Sequence, residues 1–386
     1  MLKLIVISGH LLWAWLTIAR SAVPLDSPTP QRLFAVPYGT ARGAIYINIF
    51  PGKPEYEPPL VEGPSGLLVA PDGSRIVIVE WRHDSETYKI VEELLIYDRS
   101  GKFINKIHTV EEQFIDEEDK DRLPSLGLID CIVYGLNKYI YIVKCDKILV
   151  YNDQGVFLDT LSNTYMRAAQ GYEPLRKRIK SSSTPVIIGV DEKGTIYFDL
   201  EDEIITIDTE GKRSWVSTPS KGIDARLASD RGVLLMLDAK LSHEKFSGIY
   251  EIWVASDGRL KAIGNVPANT KIVEQLKQSY TTYLWKRALS SGQTYWRSYR
   301  KELKITKVTT IYGNLDIIAN DIIVFDRTGH IRAEVPYFAA GDTPPVGHGS
   351  VLYWDIDAQG NIYYLRWAEK ALEVWWVPIR TPVPTQ

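Results

Sequence analysis

Apolar residues come in short bursts along this chain, separated by Asp, Asn and Gly. The clearest block is 66–108, GLLVAPDGSRIVIVEWRHDSETYKIVEELLIYDRSGKFINKIH. It has apolar runs at 67–70, 75–80, 94–97 and 103–108, split by Pro71-Asp72-Gly73 and by Asp98-Arg99-Ser100-Gly101. Short runs rich in Val, Ile, Leu and Tyr between Asp/Gly turn signals predict strands joined as hairpins. Four in tandem predict one small antiparallel meander.

The pattern recurs at 126–161, 185–217 and 222–266, with turns at Asn152–Gly155, Asp191–Gly194, Asp208–Gly211 and Ser256–Gly258. A weaker copy reads LKITKVTTIYG, LDIIA, DIIVF and HIRAEVPYF, and a last one at 349–380 has only three strands. Residues 31–38, QRLFAVPY, stand alone before the first copy and match 331–338, IRAEVPYF, which ends a later one. Pairing that orphan with the last copy supplies its fourth strand, closes a ring and leaves no exposed sheet edge. The expected fold is therefore all-β: a six-bladed β-propeller of four-stranded antiparallel blades, closed by the N-terminal strand, in one domain over 31–380. An open array, a sandwich and rings of five or seven blades are the alternatives. A tail at 381–386 follows.

Three insertions interrupt the repeats. Residues 109–125 are acidic, and 163–183 read as helical with Arg176, Lys177, Arg178 and Lys180. Residues 269–300 read as a helix near 271–280 followed by Trp285, Lys286, Arg287, Trp296, Arg297 and Arg300. The basic stretches read as solvated helix faces; binding of an anionic polymer is the sharper alternative.

Residues 1–21 read as a signal peptide: Lys3, an apolar run over 4–19, then Ala19-Arg20-Ser21 as the cleavage signal. The run falls short of the ~20 residues that span a bilayer. A Pro-rich tether follows at 22–30. This places the protein outside the cytoplasm, secreted or in the periplasm or cell envelope, with no membrane span after cleavage. The chain carries 45 Lys+Arg against 48 Asp+Glu, and cleavage removes Lys3 and Arg20, leaving 43 against 48. That acidic balance argues against nucleic acid as a partner.

The two cysteines, Cys131 and Cys145, flank a predicted hairpin. A three-residue turn at 137–139 sets them directly opposite, where an oxidising compartment would join them; a two-residue turn puts them on opposite faces. No His lies near them to complete a zinc site, and no metal ligand set is assigned. His83, His108, His243, His330 and His348 show no metal-ligand spacing, and no nucleophile elbow, phosphate loop or dinucleotide fingerprint is present.

The segments LLVAPDGSRIVIVEW with LLIYDRSGKFINKI, ILVYNDQGVFLDTL and IIVFDRTGHIRAEV resemble the NHL-repeat and related six-bladed propeller proteins over roughly residues 31–380. The resemblance implies a fold more than a function. The family includes scaffolds for proteins, carbohydrates or RNA, and metal-dependent lactonases and lyases whose ligands converge on the central channel. Two readings follow. The first is an exported, monomeric binding or scaffold module that holds a protein or glycan on its loop-rich face without a cofactor. The second is an exported metal-dependent hydrolase or lyase, with Ca²⁺ the cofactor to test, at the channel mouth. Candidate ligand contacts are the Trp81-Arg82-His83 and Arg366-Trp367 strand ends, His348 entering the last inner strand, and Asp224 entering the fourth. Trp and Arg favour binding hot spots. Packing between blades is the competing role for the tryptophans, and a plain surface carboxylate the competing role for Asp224.

Overall fold

The structure, a computed structural model of the 386-residue chain, describes residues 28–50, 60–84, 89–108, 131–144, 147–161, 186–199, 203–217, 223–238, 250–256, 259–266, 280–300, 305–310, 313–326, 331–340 and 353–379. The first strands are β1 Gln31–Pro37, β2 Asn48–Phe50, β3 Leu60–Val69, β4 Arg75–Asp84, β5 Lys89–Asp98, β6 Phe103–His108, β7 Cys131–Tyr134, β8 Ile140–Lys144, β9 Lys147–Tyr151 and β10 Phe157–Thr160. Then come β11 Val186–Val190, β12 Ile196–Asp199, β13 Glu203–Ile207, β14 Arg213–Ser217, β15 Ile223–Leu227, β16 Leu234–Asp238, β17 Tyr250–Ser256 and β18 Arg259–Val266. The last are β19 Tyr280–Ala288, β20 Thr294–Arg300, β21 Ile305–Thr310, β22 Gly313–Phe325, β23 Ile331–Ala340, β24 Trp354–Ile356, β25 Ile362–Trp367 and β26 Ala371–Val377. The described residues contain no helix.

The protein is an all-β propeller of small antiparallel sheets. β3 to β6 form one meander, with β2 added beside the first residues of β3; β7–β10, β11–β14 and β15–β18 form three more. β19, β20, β22 and β23 form another, with β21 alongside, and β24, β25 and β26 are completed by β1, which pairs antiparallel with β26. The inner strands β3, β7, β11, β15 and β19 touch in succession, and β24 touches β3. Inner hairpin turns are tied to the following sheet: Leu136 N–H donates to Val190 C=O (2.9 Å), Ser229 N–H to Ala288 C=O (2.9 Å) and Ala358 N–H to Pro71 C=O (2.8 Å).

Local chemistry explains the hairpins. In five turns an Asp or Asn side chain accepts backbone N–H groups two and four residues on: Asp98 from Ser100 and Lys102, Asn152 from Gln154 and Val156, Asp191 from Lys193 and Thr195, Asp208 from Glu210 and Lys212, Asp357 from Gln359 and Asn361. The glycine three residues after each has positive φ, from +72° at Gly155 to +86° at Gly101, where a Cβ is disfavoured. Alternation along the strands then buries opposite faces against the two flanking sheets. Ile76, Ile78, Leu95 and Tyr97 pack against the last sheet, and Val77, Val79, Leu94 and Ile96 against the second.

The uniform array of four-stranded blades is corrected: two sheets have five strands. The weak fifth copy is also redrawn. Its inner strands are β19 and β20, inside the 269–300 stretch read as an insertion, so Lys286–Arg300 is no solvated helix. Trp296 is 1% and Arg297 6% exposed. The runs LDIIA and DIIVF are one strand, β22, because Asn320-Asp321 has no glycine to reverse the chain and stays paired to Tyr337-Pro336 and Tyr299-Ser298 on either side. The cysteine register also differs from the three-residue turn. Tyr134 pairs Ile140 and Cys131 faces Val143, and the Cys131 thiol donates to the Ile187 carbonyl at 3.6 Å. Cys145, residues 1–27, the 109–125 and 163–183 insertions, 271–279 and 381–386 lie outside the described residues.

Candidate functional site

Two concavities differ in size and chemistry. The first lies on the axis between the inner strands β3, β7, β11, β15, β19 and β24 and holds about 100 Å³, room for roughly three waters at ~30 Å³ each. Leu68, Ile132, Ile187, Leu227 and Ile356 give it apolar walls. Among the described residues the one carboxylate in its lining is Asp355. That group accepts Arg287 Nε–H at 2.7 Å on one oxygen and Val69 N–H at 3.0 Å on the other. Among the described residues no group of three or more His, Cys, Asp or Glu is placed to hold a metal ion.

The second is a cleft of about 560 Å³ between residues 39–46 and the face of the first meander that turns toward the last sheet. Three strands present its floor: Glu80 and Arg82 from β4, Glu93 and Leu95 from β5, Phe103, Lys106 and His108 from β6. Registers bring them together, with Glu80 paired to Glu93 and Glu93 to His108. The segment after β1 forms the other wall. It turns back through Gly39 N–H to Ile45 C=O (2.9 Å) and Ile45 N–H to Pro37 C=O (3.0 Å), and the fully buried Ile45 and Ile47 anchor it. The Tyr97 hydroxyl donates to Gly43 C=O at 3.0 Å. Gly43 is obligatory here: its φ is +74°, and a Cβ would lie 2.7 Å from the Phe103 ring.

Two carboxyl groups in this cleft sit in opposite environments. Glu80 is 3% exposed, and burial pushes it up to about 8. The Tyr46 N–H it accepts at 3.0 Å pulls the other way, and nearby Glu93 adds to the rise. At neutral pH Glu80 therefore holds a proton and can donate a hydrogen bond. Glu93 instead meets two cations and an imidazole. Lys106 Nζ is 2.9 Å from both its oxygens, and His108 Nδ1 (2.9 Å) and Arg82 Nη2 (3.4 Å) both reach Oε1. Among the described residues three fixed cations, Arg42, Arg82 and Lys106, line the cleft against one fixed anion, Glu93, an excess of two positive charges. Arg42 is exposed at the rim, with its guanidinium 5.6 Å from the Phe103 ring centre.

The residues singled out from sequence are not one constellation. Arg82 lines the cleft. Trp81 is 3% exposed and shares the parity of Val77 and Val79, which pack against the second sheet. Trp367 is 3% exposed, stacked 6.5 Å from Tyr38 in the core between the last sheet and the first. Both tryptophans are buried. Arg366 is exposed and lies 5.2 Å over Trp375. His83 continues β4 opposite Ile90, and Asp224 lies on β15 opposite Leu237. His348 lies outside the described residues. Glu80, Glu93, Arg42 and Lys106 were missed. The available signal was Glu80 in RIVIVEW and the Glu92-Glu93 pair in KIVEELLIY, glutamates within otherwise apolar strands.

No protein-family profile matches the chain, and no curated protein sequence matches it. Among solved structures it is similar to a streptogramin B lyase (TM-score 0.37, 14% identity, 86% of this chain and 98% of that one). It is also similar to virginiamycin B lyase from Staphylococcus aureus (TM-score 0.35, 13% identity, 82% and 96%). A third is a putative gluconolactonase (TM-score 0.39, 9% identity, 92% and 94%). At TM-scores this low, the activities those names describe are not carried over.

Proposed function

We propose that this chain is an exported binding module, a β-propeller of NHL-like character closed by β1, which holds the sugar end of a glycan in the cleft between residues 39–46 and β4–β6. The observation that carries the reading is the contrast of the two concavities. At about 560 Å³ the cleft has the volume of ligand pockets, ~300–1,000 Å³, while the axial cavity of about 100 Å³ does not. The cleft also mixes donors and acceptors, as a hydroxyl-rich ligand requires. The axial cavity, where a metal-dependent hydrolase or lyase would work, offers among the described residues one carboxylate, already bonded to Arg287 and Val69. A concave polar site favours a glycan over a protein surface, which would need a broader apolar centre.

Glycan-array binding by the protein and by its Thr40→Trp variant tests this. Thr40 is exposed on the cleft wall, so the bulky side chain blocks entry without touching the core. Binding by the protein and its loss in the variant are expected. Binding that survives the block, or chelator-sensitive hydrolysis of lactones or esters, would overturn the reading.

A further inference from the structure

We infer that the ligand of this cleft is anionic: a sugar-sized molecule bearing a carboxylate or phosphate, gripped by Lys106, Arg82 and Arg42. The inference rests on the binding-module reading and adds the ligand's charge. Three groups able to carry positive charge converge on one nearly buried carboxylate, with Glu93 at 4% side-chain exposure. Their own side chains stay open, at 32% for Lys106, 38% for Arg82 and 56% for His108. Among the described lining residues the one ionised carboxylate cannot balance both Lys106 and Arg82, and the exposed arginine at the rim adds a further charge. The second carboxyl does not help, because Glu80 is buried as the neutral acid and presents a donor. A ligand oxyanion meets the unbalanced cations, and its hydroxyl or ring oxygen meets the Glu80 proton. Charge-assisted hydrogen bonds of this kind are the strong ones. Phe103 on the floor gives the ligand's ring an apolar face to rest on.

The test is titration calorimetry with D-glucuronate, D-glucose 6-phosphate and neutral D-glucose, against the protein and the variants Lys106→Met, Arg42→Ala, Glu93→Gln and Thr40→Trp. Lys212→Ala, which removes one exposed positive charge from a distant turn, is the control. One or both charged probes should bind at least about tenfold more tightly than glucose, and the preferred one separates carboxylate from phosphate. Lys106→Met and Arg42→Ala should weaken that probe roughly tenfold, the scale of one charge-assisted bond, and Lys212→Ala should leave it unchanged. Glu93→Gln should tighten it several-fold by removing the competing carboxylate, whereas a merely structural Glu93 would give loss. Arg42 is exposed, so its variant reads out even if a buried substitution disturbs folding. Glucose binding as tightly as the charged probes, with all of it lost in Thr40→Trp, overturns the anion inference and leaves the cleft reading standing. Probe binding indifferent to Thr40→Trp, or no binding of any probe, overturns the inference as well.

Discussion

Replacing Glu80 with Gln should make the protein more stable at alkaline pH. Glu80 titrates at about 8 in the folded protein, against 4.5 for a free glutamate. Between those values the folded state keeps a proton that the unfolded chain has released. Unfolding then releases a proton, and stability falls as pH rises through the window. The penalty is absent below pH 4.5 and complete above pH 8. At ~1.4 kcal/mol per pH unit, the gap corresponds to at most about 5 kcal/mol, and to about 3 kcal/mol at pH 7. Gln keeps an oxygen for the Tyr46 N–H and cannot ionise. Urea unfolding at pH 5, 7 and 9, followed by tryptophan fluorescence at fixed ionic strength, should show similar stabilities at pH 5. A gap in favour of Glu80→Gln should open by about 2–5 kcal/mol at pH 9. Parallel curves, or a variant that loses stability relative to the parent as pH rises, would refute a buried neutral carboxyl at this position.

Three further substitutions probe the frame. Gly73→Ala forces a side chain at φ +68° with its Cβ 2.6 Å from the Tyr363 hydroxyl, so the unfolding free energy from denaturant titration should fall by about 1–3 kcal/mol. Asp208→Ala removes the acceptor for the Glu210 and Lys212 N–H groups and should cost about 1 kcal/mol in the same assay. Asp355→Ala removes the carboxylate shared by Arg287 and the Val69 N–H on the axis. It should cost about 3 kcal/mol, with Asp355→Asn milder, and neither should alter ligand binding if the cleft is the site.

The turns and most sheets were legible in the sequence because their causes are local. An Asp or Asn reaching two and four residues ahead, with a glycine at positive φ between, is written in five consecutive residues, and strands on either side follow. The fifth sheet was not legible for the converse reason. β19 and β20 carry Trp, Tyr, Lys and Arg in alternation, and the burial of Trp296 and Arg297 depends on what packs over them. At Asn320-Asp321 the turn-forming types sit mid-strand, where pairing on both edges overrides them. The cleft was less legible still. Its wall comes from residues 39–46 and its floor from strands that follow, and Tyr46 meets Glu80 across 34 residues. Only Glu80 and the Glu92-Glu93 pair, glutamates within otherwise apolar strands, hinted at it. Trp81 and Trp367, candidate anchors by residue type, are both buried.

Hydrogen exchange by mass spectrometry, with and without the anionic sugar that calorimetry selects, locates the ligand most directly. The account predicts slowed exchange at 39–46 and across 80–82, 93–95 and 103–108, with the inner strands β7, β11 and β15 unchanged. Protection of those inner strands, with the cleft segments unaffected, would move the site to the axis and contradict the account.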